Sequence, residues 1–422
     1  MRPFIAFALA LAGVCSGCAT AITSTPYSIS PDSAGVLGKV VSDTGGGVEY
    51  WVQYGPTAAY GSETQHQTVN VAQGSLVTVR PVIGGLQRAT VYHYRLCARD
   101  AQQKGGPGCG ADQQLTTQSV GCGETVTTDV TLTGDLDCPQ AAGFIVGADG
   151  VDVNLAGHGM FGGIASGGGG PRGIDNSGGY DDLTVRNGTV GGFGFGVVIH
   201  GANRNRILGV HSGVAGNAVT IDGGAANEIR RSDVFGRSFG IKVTDSDGLV
   251  IADSRSEGSF GSAIAVSGDL ARIVRNETPH TGGSFSVTSG IELIGSGGRI
   301  TDNAVDGAWD LGGIAVYGPN NAVLDNEVSN AEFVCCPTDS DANGDGIFVG
   351  PGSSATALRR NSSNSNAGDG IEVRSAGVKL ESNGAFSNGD FGIDAVAGVI
   401  DLGGNTAGSN GNPLQCRNVF CP

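Results

Sequence analysis

The chain has 422 residues, 75 of them glycine, with aromatic residues at 6% and charged residues at 15%. Its formal net charge is −16, from 24 Lys and Arg against 40 Asp and Glu. That balance excludes nucleic acid and anionic membrane surfaces as natural partners, while glycine without a triplet period excludes collagen and evenly spread Val, Ile, Leu and Ala exclude disorder.

The chain opens with MRPFIAFALALAGVCSGCATA, one Arg followed by an apolar run too short to span a bilayer and then by small residues. The pattern predicts an export signal over residues 1–21 and no transmembrane span. Two processing sites stay open. Ala-Thr-Ala ending at Ala21 fits a small-x-small cleavage site, and Ser-Gly-Cys fits the end of a lipoprotein box, which would put a lipid anchor on Cys18. Either route predicts a protein secreted or held at the cell surface. The ten cysteines fit an oxidising compartment. With Cys15 and Cys18 set aside, local spacing pairs Cys97 with Cys109, Cys122 with Cys138 and Cys416 with Cys421. Adjacent Cys335 and Cys336 remain, as a vicinal disulfide or two thiols; metal-type cysteine spacing is absent.

Residues 22–118 alternate apolar and polar positions in VEYWVQY, SLVTVRPV and VYHYRLCAR, separated by turn clusters, as a β-sandwich requires. LQRATVY resembles the fibronectin type III signature around its tyrosine corner, with Leu86, Thr90 and Tyr92 at the matching places and Arg88 and Ala89 where Pro and Gly are usual. YWVQYGPTAAYG (Tyr50 to Gly61) resembles bacterial versions of the same module. The resemblance implies a spacer or binding domain. His66 and His93 read as surface strand residues.

After Cys122 the grammar changes. A Gly or Ala followed by apolar-x-apolar recurs at Gly173, Gly196, Ala218, Gly240, Ala263, Gly290, Gly313, Gly346, Gly370 and Gly392, in steps of 23, 22, 22, 23, 27, 23, 33, 24 and 22. A period near 22 with two insertions predicts stacked coils. Asn276, Asn303, Asn326, Asn383 and Asn405 each follow their marker by 13 positions, and Asn361 follows its own by 15. Such a column predicts amides that stack from coil to coil at a tight left-handed turn. Residues 119–422 resemble right-handed parallel β-helix proteins of the pectate-lyase-like superfamily. CGETVTTDVTLTGDLDC and ADGVDVNLAGHGM match the first coils of secreted bacterial members, and GGNTAGSNGNPLQCRNVFC matches their C-terminal cap. The expected fold is all-β: a sandwich, then about ten coils at about 4.8 Å each.

Several motifs bear on chemistry. Gly157 to Gly159 (GHG) and Asp181-Asp182 are similar to pieces of polygalacturonase sites, but they come in the reverse order and lack the Arg-x-Lys piece. DSDANGDG, from Asp339 to Gly346, offers oxygens at alternate positions, Asp339, Asp341, Asn343 and Asp345, as calcium loops do; no Glu stands at the twelfth place, and a plain loop fits as well. In the strand after each marker, alternation points every second residue outward. One outward column is then Val198, Thr220, Lys242, Ala265, Glu292, Ala315, Phe348, Glu372 and Asp394. The next is His200, Asp222, Thr244, Ser267, Ile294, Tyr317, Gly350, Arg374 and Val396. His200, Asp222 and Lys242 form a candidate catalytic group, Tyr317 and Phe348 candidate sugar-stacking rings, and Glu372, Arg374 and Asp394 a second polar group. No lyase motif frames these residues, which favours the plainer reading of an ordinary solvated face with one cross-coil ion pair. The long ridged face predicts interaction with a polysaccharide or cell-surface glycan. A lyase or epimerase, and a non-catalytic adhesive rod, are the alternatives; calcium is the one cofactor the residues suggest.

Overall fold

The computed structural model describes residues 19–102, 106–163, 169–279, 288–332 and 344–422. Cys15, Cys18, Cys335, Cys336, Asp339, Asp341 and Asn343 lie outside the described residues. The chain divides into two compact units, residues 1–119 with 133–135, and residues 120–132 with 136–422. Every regular element among the described residues is a strand.

The first unit is a pair of antiparallel sheets around a core that includes Val36, Val40, Val52, Tyr94 and Leu96. Alternation is the cause: in Gly46–Gly55 and Val91–Asp100, every second side chain turns inward. The Tyr92 hydroxyl accepts the Gln87 amide at 3.1 Å, five residues upstream. Cys97 and Cys109 are bonded. The first strand, Ala19–Ile29, pairs Ala19 with Ser42 and Ala21 with Val40, and both alanines are buried.

The second unit is a right-handed β-helix. Thirteen parallel strands, from Glu124–Val126 to Cys416–Arg417, form one continuous sheet, and a second sheet of 22 strands carries the remaining sides of each coil. This makes about twelve turns, not ten. Three strands of this sheet carry none of the ten markers: Glu124–Val126 and Phe144–Val146 lie before Gly173, where the sequence matches first coils, and Cys416–Arg417 follows Gly392. Gly143 carries the same Gly-apolar-x-apolar phrase in Gly143–Val146 but stands 30 residues upstream of the next marker, outside the dominant period. Its glycine is required: a Cβ there would stand 2.1 Å from the carbonyl oxygen of Gly173 in the coil above.

Each coil buries too little alone, and stacking joins the apolar positions. Val197, Val219, Ile241, Ile264, Ile291, Ile314, Ile347, Ile371 and Ile393 pair in strict register and are all buried. Each such side chain contributes about 1.5–3 kcal/mol of burial. The asparagine column forms as expected. Each side-chain NH₂ donates to the next amide oxygen at 3.0 Å, from Asn276 through Asn303, Asn326, Asn361 and Asn383 to Asn405. The left-handed residue, however, is the one before: Arg275, Asp302, Asp325, Arg360 and Ser382 have φ of 53° to 57°. The asparagine thus follows the turn and ties it to the next coil. A second column, Asn366, Asn388 and Asn410, repeats the arrangement. The disulfides Cys122–Cys138 and Cys416–Cys421 lie in the first and last coils.

Candidate functional site

The outward column keeps the register the sequence implies. Val198, Thr220, Lys242, Ala265, Glu292, Ala315, Phe348, Glu372 and Asp394 are successive partners, and Arg417 extends the row. Its exposure is not uniform. Lys242 is exposed, whereas Ala315, Phe348, Glu372 and Asp394 are buried. Phe348 is 5% exposed, so it offers no face to a sugar. The ring of Tyr317 meets it edge-on with centroids 5.9 Å apart, in a space that Gly350 leaves open. Tyr317, itself half-buried, lies over Phe348 as a lid.

Beyond that lid lies a cavity of about 280 Å³. It begins with a repeated phrase, Gly-Asp-Gly-Ile, at Gly344–Ile347 and Gly368–Ile371. The phrase places Asp345 and Asp369 immediately before the markers of adjacent coils. Each caps the coil above: Asp345 Oδ1 accepts the Asp369 amide at 2.7 Å, and Asp369 Oδ1 accepts the Phe391 amide at 2.7 Å. The strands Ile371–Val373 and Ile393–Ala395 then project Glu372 and Asp394 into the same space, each paired with the other in register. Carboxylate oxygens of Asp369, Glu372 and Asp394 lie within 4.8 Å of one another. Arg374 pairs with Glu372, and the Arg417 guanidinium faces both oxygens of Asp394. Arg417 sits beside the Cys416–Cys421 disulfide and 5.3 Å from the Phe391 ring centroid, both of which limit its reach.

Four carboxylates therefore share a buried site with two guanidiniums, and buried charge without a partner is costly. Burial and crowding raise three of these carboxyl groups. Burial pushes Asp369 up to about 7, aided by the charges of Glu372 and Asp394. Burial also raises Asp345 and Glu372, which face each other. Asp345 Oδ2 and Glu372 Oε2 are both buried and lack a hydrogen-bond partner among the described residues. One proton between them satisfies both atoms and removes one charge.

The other expected groups are simpler. His200 Nδ1 and Asp222 lie 3.0 Å apart, 61% and 50% exposed. Lys242 does not complete that group, since its Nζ stands over the Phe239 ring at 5.1 Å. Asp181 and Asp182 pair with Arg204 in the next coil. Asp345 joins the acidic cavity. Asp369 and Arg417 were not legible as site residues; the signal for Asp369 was the repeated Gly-Asp-Gly-Ile, which stacks two like charges one coil apart. Arg417 gave no signal, because its strand lies beyond the last marker.

A family model described as a right handed beta helix region matches residues 283–412. No curated protein matches the chain. Among solved structures, it is similar to the catalytic domain of a GH87 alpha-1,3-glucanase in complex with tetrasaccharides, at 12% identity and a TM-score of 0.48, covering 92% of this chain and 96% of that one. The periplasmic alginate epimerase AlgG is similar at 14% identity and a TM-score of 0.42, covering 72% and 76%. The Dettilon tailspike protein is similar at 16% identity and a TM-score of 0.35, covering 70% and 61%. These likenesses concern the coiled architecture and carry no statement about chemistry.

Proposed function

We propose that the protein acts on a polysaccharide and cleaves a glycosidic bond at the acidic cavity. The observation that supports this reading is the difference between carboxyl groups a few ångströms apart. Asp369 holds its proton up to about pH 7, while Asp394 is engaged on both oxygens by Arg417. An acid and an anion side by side are what glycosidic cleavage needs: one protonates the departing oxygen, and the other supports the positive charge that develops at the sugar carbon. Asp369 takes the first role and Asp394 the second, with the Asp345–Glu372 pair and Arg374 setting the field around them. Oxygens this close leave no room for the water that an inverting site seats between its carboxylates. The proposal is therefore retention of configuration: an Asp394 oxygen bonds the sugar carbon as the departing oxygen leaves with the Asp369 proton, and a water then displaces Asp394, giving its proton back to Asp369.

Incubation with a panel of soluble polysaccharides, followed by reducing-end assay, tests the reading. The rate with the cleaved substrate should fall as pH rises through about 7, and Asp369→Asn should lower it by about 10²–10⁴-fold. Unchanged turnover in that variant would falsify the assignment. Calcium is the second reading, favoured by the carboxylate oxygens of Asp369, Glu372 and Asp394 within 4.8 Å of one another, because a cation there would offset their charge as a proton does. Calcium raising the melting temperature of the wild type, and not of Glu372→Gln, would select it. For the remainder of the chain, the Tyr92–Gln87 bond supports a fibronectin type III-like sandwich. Export with a lipid on Cys18 is favoured over cleavage after Ala21, which would remove two buried alanines from a paired strand.

A further inference from the structure

A second site lies on the other sheet, well upstream in sequence. Phe161, Gly191, Gly213, Phe235 and Glu257 are successive outward partners in the 22-stranded sheet. Two glycines thus interrupt a column that carries large side chains on either side. The Phe161 ring occupies the space over Gly191, approaching to 3.5 Å of where its Cβ would be. Over Gly213 a Cβ would meet nothing within 4 Å among the described residues. The result is a cavity of about 560 Å³, floored by Gly213 and the buried Phe193 and walled by Phe235, Arg237 and Phe260. Phe235 and Phe260 are 43% and 50% exposed. Single exposed rings are ordinary; two converging on an empty glycine floor are not.

What this cavity accepts follows from its neighbour. A polar cavity of about 280 Å³ shares Gly213 and Phe235 with it and is lined by His211, Asp233, Arg255 and Glu257. His211 and Arg255 both approach Asp233, at 3.8 and 3.6 Å, and Arg255 also pairs with Glu257. Across the two cavities, two carboxylates stand against two guanidiniums, a locally balanced patch on a chain of net charge −16. An anionic polymer would meet Asp233 and Glu257, a basic peptide would meet Arg237 and Arg255, and an acyl chain would leave the polar half unused. A neutral sugar ring fits both halves, with its C–H face on the phenylalanines and its hydroxyls on alternating donors and acceptors. We infer that this paired cavity binds a neutral glycan, at a surface separate from the acidic cavity and independent of whether that cavity cleaves.

Affinity electrophoresis of the full chain in gels containing laminarin, dextran, xyloglucan or polygalacturonate tests it. At least one of the three neutral polymers should retard the protein, and polygalacturonate should not. Gly213→Trp fills the floor with its backbone undisturbed, because the position has an ordinary φ and open space above it. It should weaken retardation at least tenfold with an unchanged melting curve. Phe235→Ala and Phe260→Ala should weaken it too, and they stand in for Gly213→Trp if that variant does not fold. His200→Ala, outside both cavities, should leave it unchanged. The inference is overturned if no neutral polymer retards the wild type, if Gly213→Trp is retarded equally, or if light scattering shows that the wild type is a dimer and Gly213→Trp a monomer.

Discussion

His200 and Asp222 stand near one end of the thirteen-stranded sheet, and Glu372 and Asp394 near the other, on the same outward side of the same repeating coil. Both are pairs of charged residues on adjacent coils. The first pair remains in water, 61% and 50% exposed, with a partner of opposite sign at 3.0 Å. The second is a pair of like charges, 2% and 5% exposed, which tolerates burial only with arginines and protons. Both are in-register neighbours on adjacent coils, so burial and like charge together separate a surface ion pair of about 0–1 kcal/mol from a group that holds a proton near neutrality. An outward position on a β-helix is a direction and not an exposure.

The largest effect should come from breaking the register beneath the acidic pair. A residue inserted within Ile371–Val373 would turn Glu372 into the core and Ile371 or Val373 outward. The coils from there to Pro422 should lose protection from hydrogen exchange, while those before Gly290 keep theirs. Uniform protection across the sheet would contradict the register described here.

Acid and base should treat the two ends differently. Asp369 is raised in the folded chain from 3.8 to about 7, so between those values the folded state holds a proton that the unfolded state has released. Stability from this group is complete below about pH 4 and is lost as pH rises to about 7. The amount is on the order of a few kcal/mol. Asp345 and Glu372 act in the same direction. Urea denaturation at intervals across that range should show the decline, and Asp369→Asn should flatten it. A chain equally stable at pH 4 and pH 7, with no such slope to flatten, would remove the buried-proton account.

The coil was legible because its period is carried by residues with one structural reason each: a marker that cannot bear a large Cβ, alternation that fills the core, and an asparagine that joins turns. Gly143 escaped because an insertion displaced it from the period, although its local phrase is the same. The cavity was half legible. Glu372, Arg374 and Asp394 follow from alternation, and Asp345 from the alternate oxygens of DSDANGDG. Their burial was not legible, because it depends on what covers a face and alternation reports only which way a side chain points. Phe348 shows this plainly: outward by register, it is enclosed by Tyr317, whose position depends on the missing side chain of Gly350.

Between the two ends runs the asparagine column, whose contribution should be intermediate. Asn383 donates to the Leu358 carbonyl and to the Asn405 amide oxygen, and accepts the Asn361 amide, all while fully buried. Replacement by Leu removes those bonds and leaves partners unsatisfied, a loss of about 1–3 kcal/mol. The midpoint of urea denaturation should fall accordingly. An unaltered midpoint would mean that packing alone holds the turns.

The smallest effect is expected at the exposed end, and it sharpens the comparison most. His200 and Asp222 make one direct contact, both remain largely in water, and Lys242 is engaged elsewhere over Phe239. An exposed pair exchanges one set of water contacts for one ion contact and gives up side-chain freedom to do so. His200→Ala with Lys242→Ala should therefore leave the denaturation midpoint within about 1 kcal/mol of the wild type, and leave polysaccharide cleavage at the acidic cavity unchanged. A lyase acting through these residues would behave otherwise. It would release unsaturated uronate from an acidic polymer, detectable by its ultraviolet absorbance, and the double variant would abolish that release. If such a product appears and vanishes with His200 and Lys242, the open end of the face is the catalytic one and the buried carboxylates serve only to hold the last coils together.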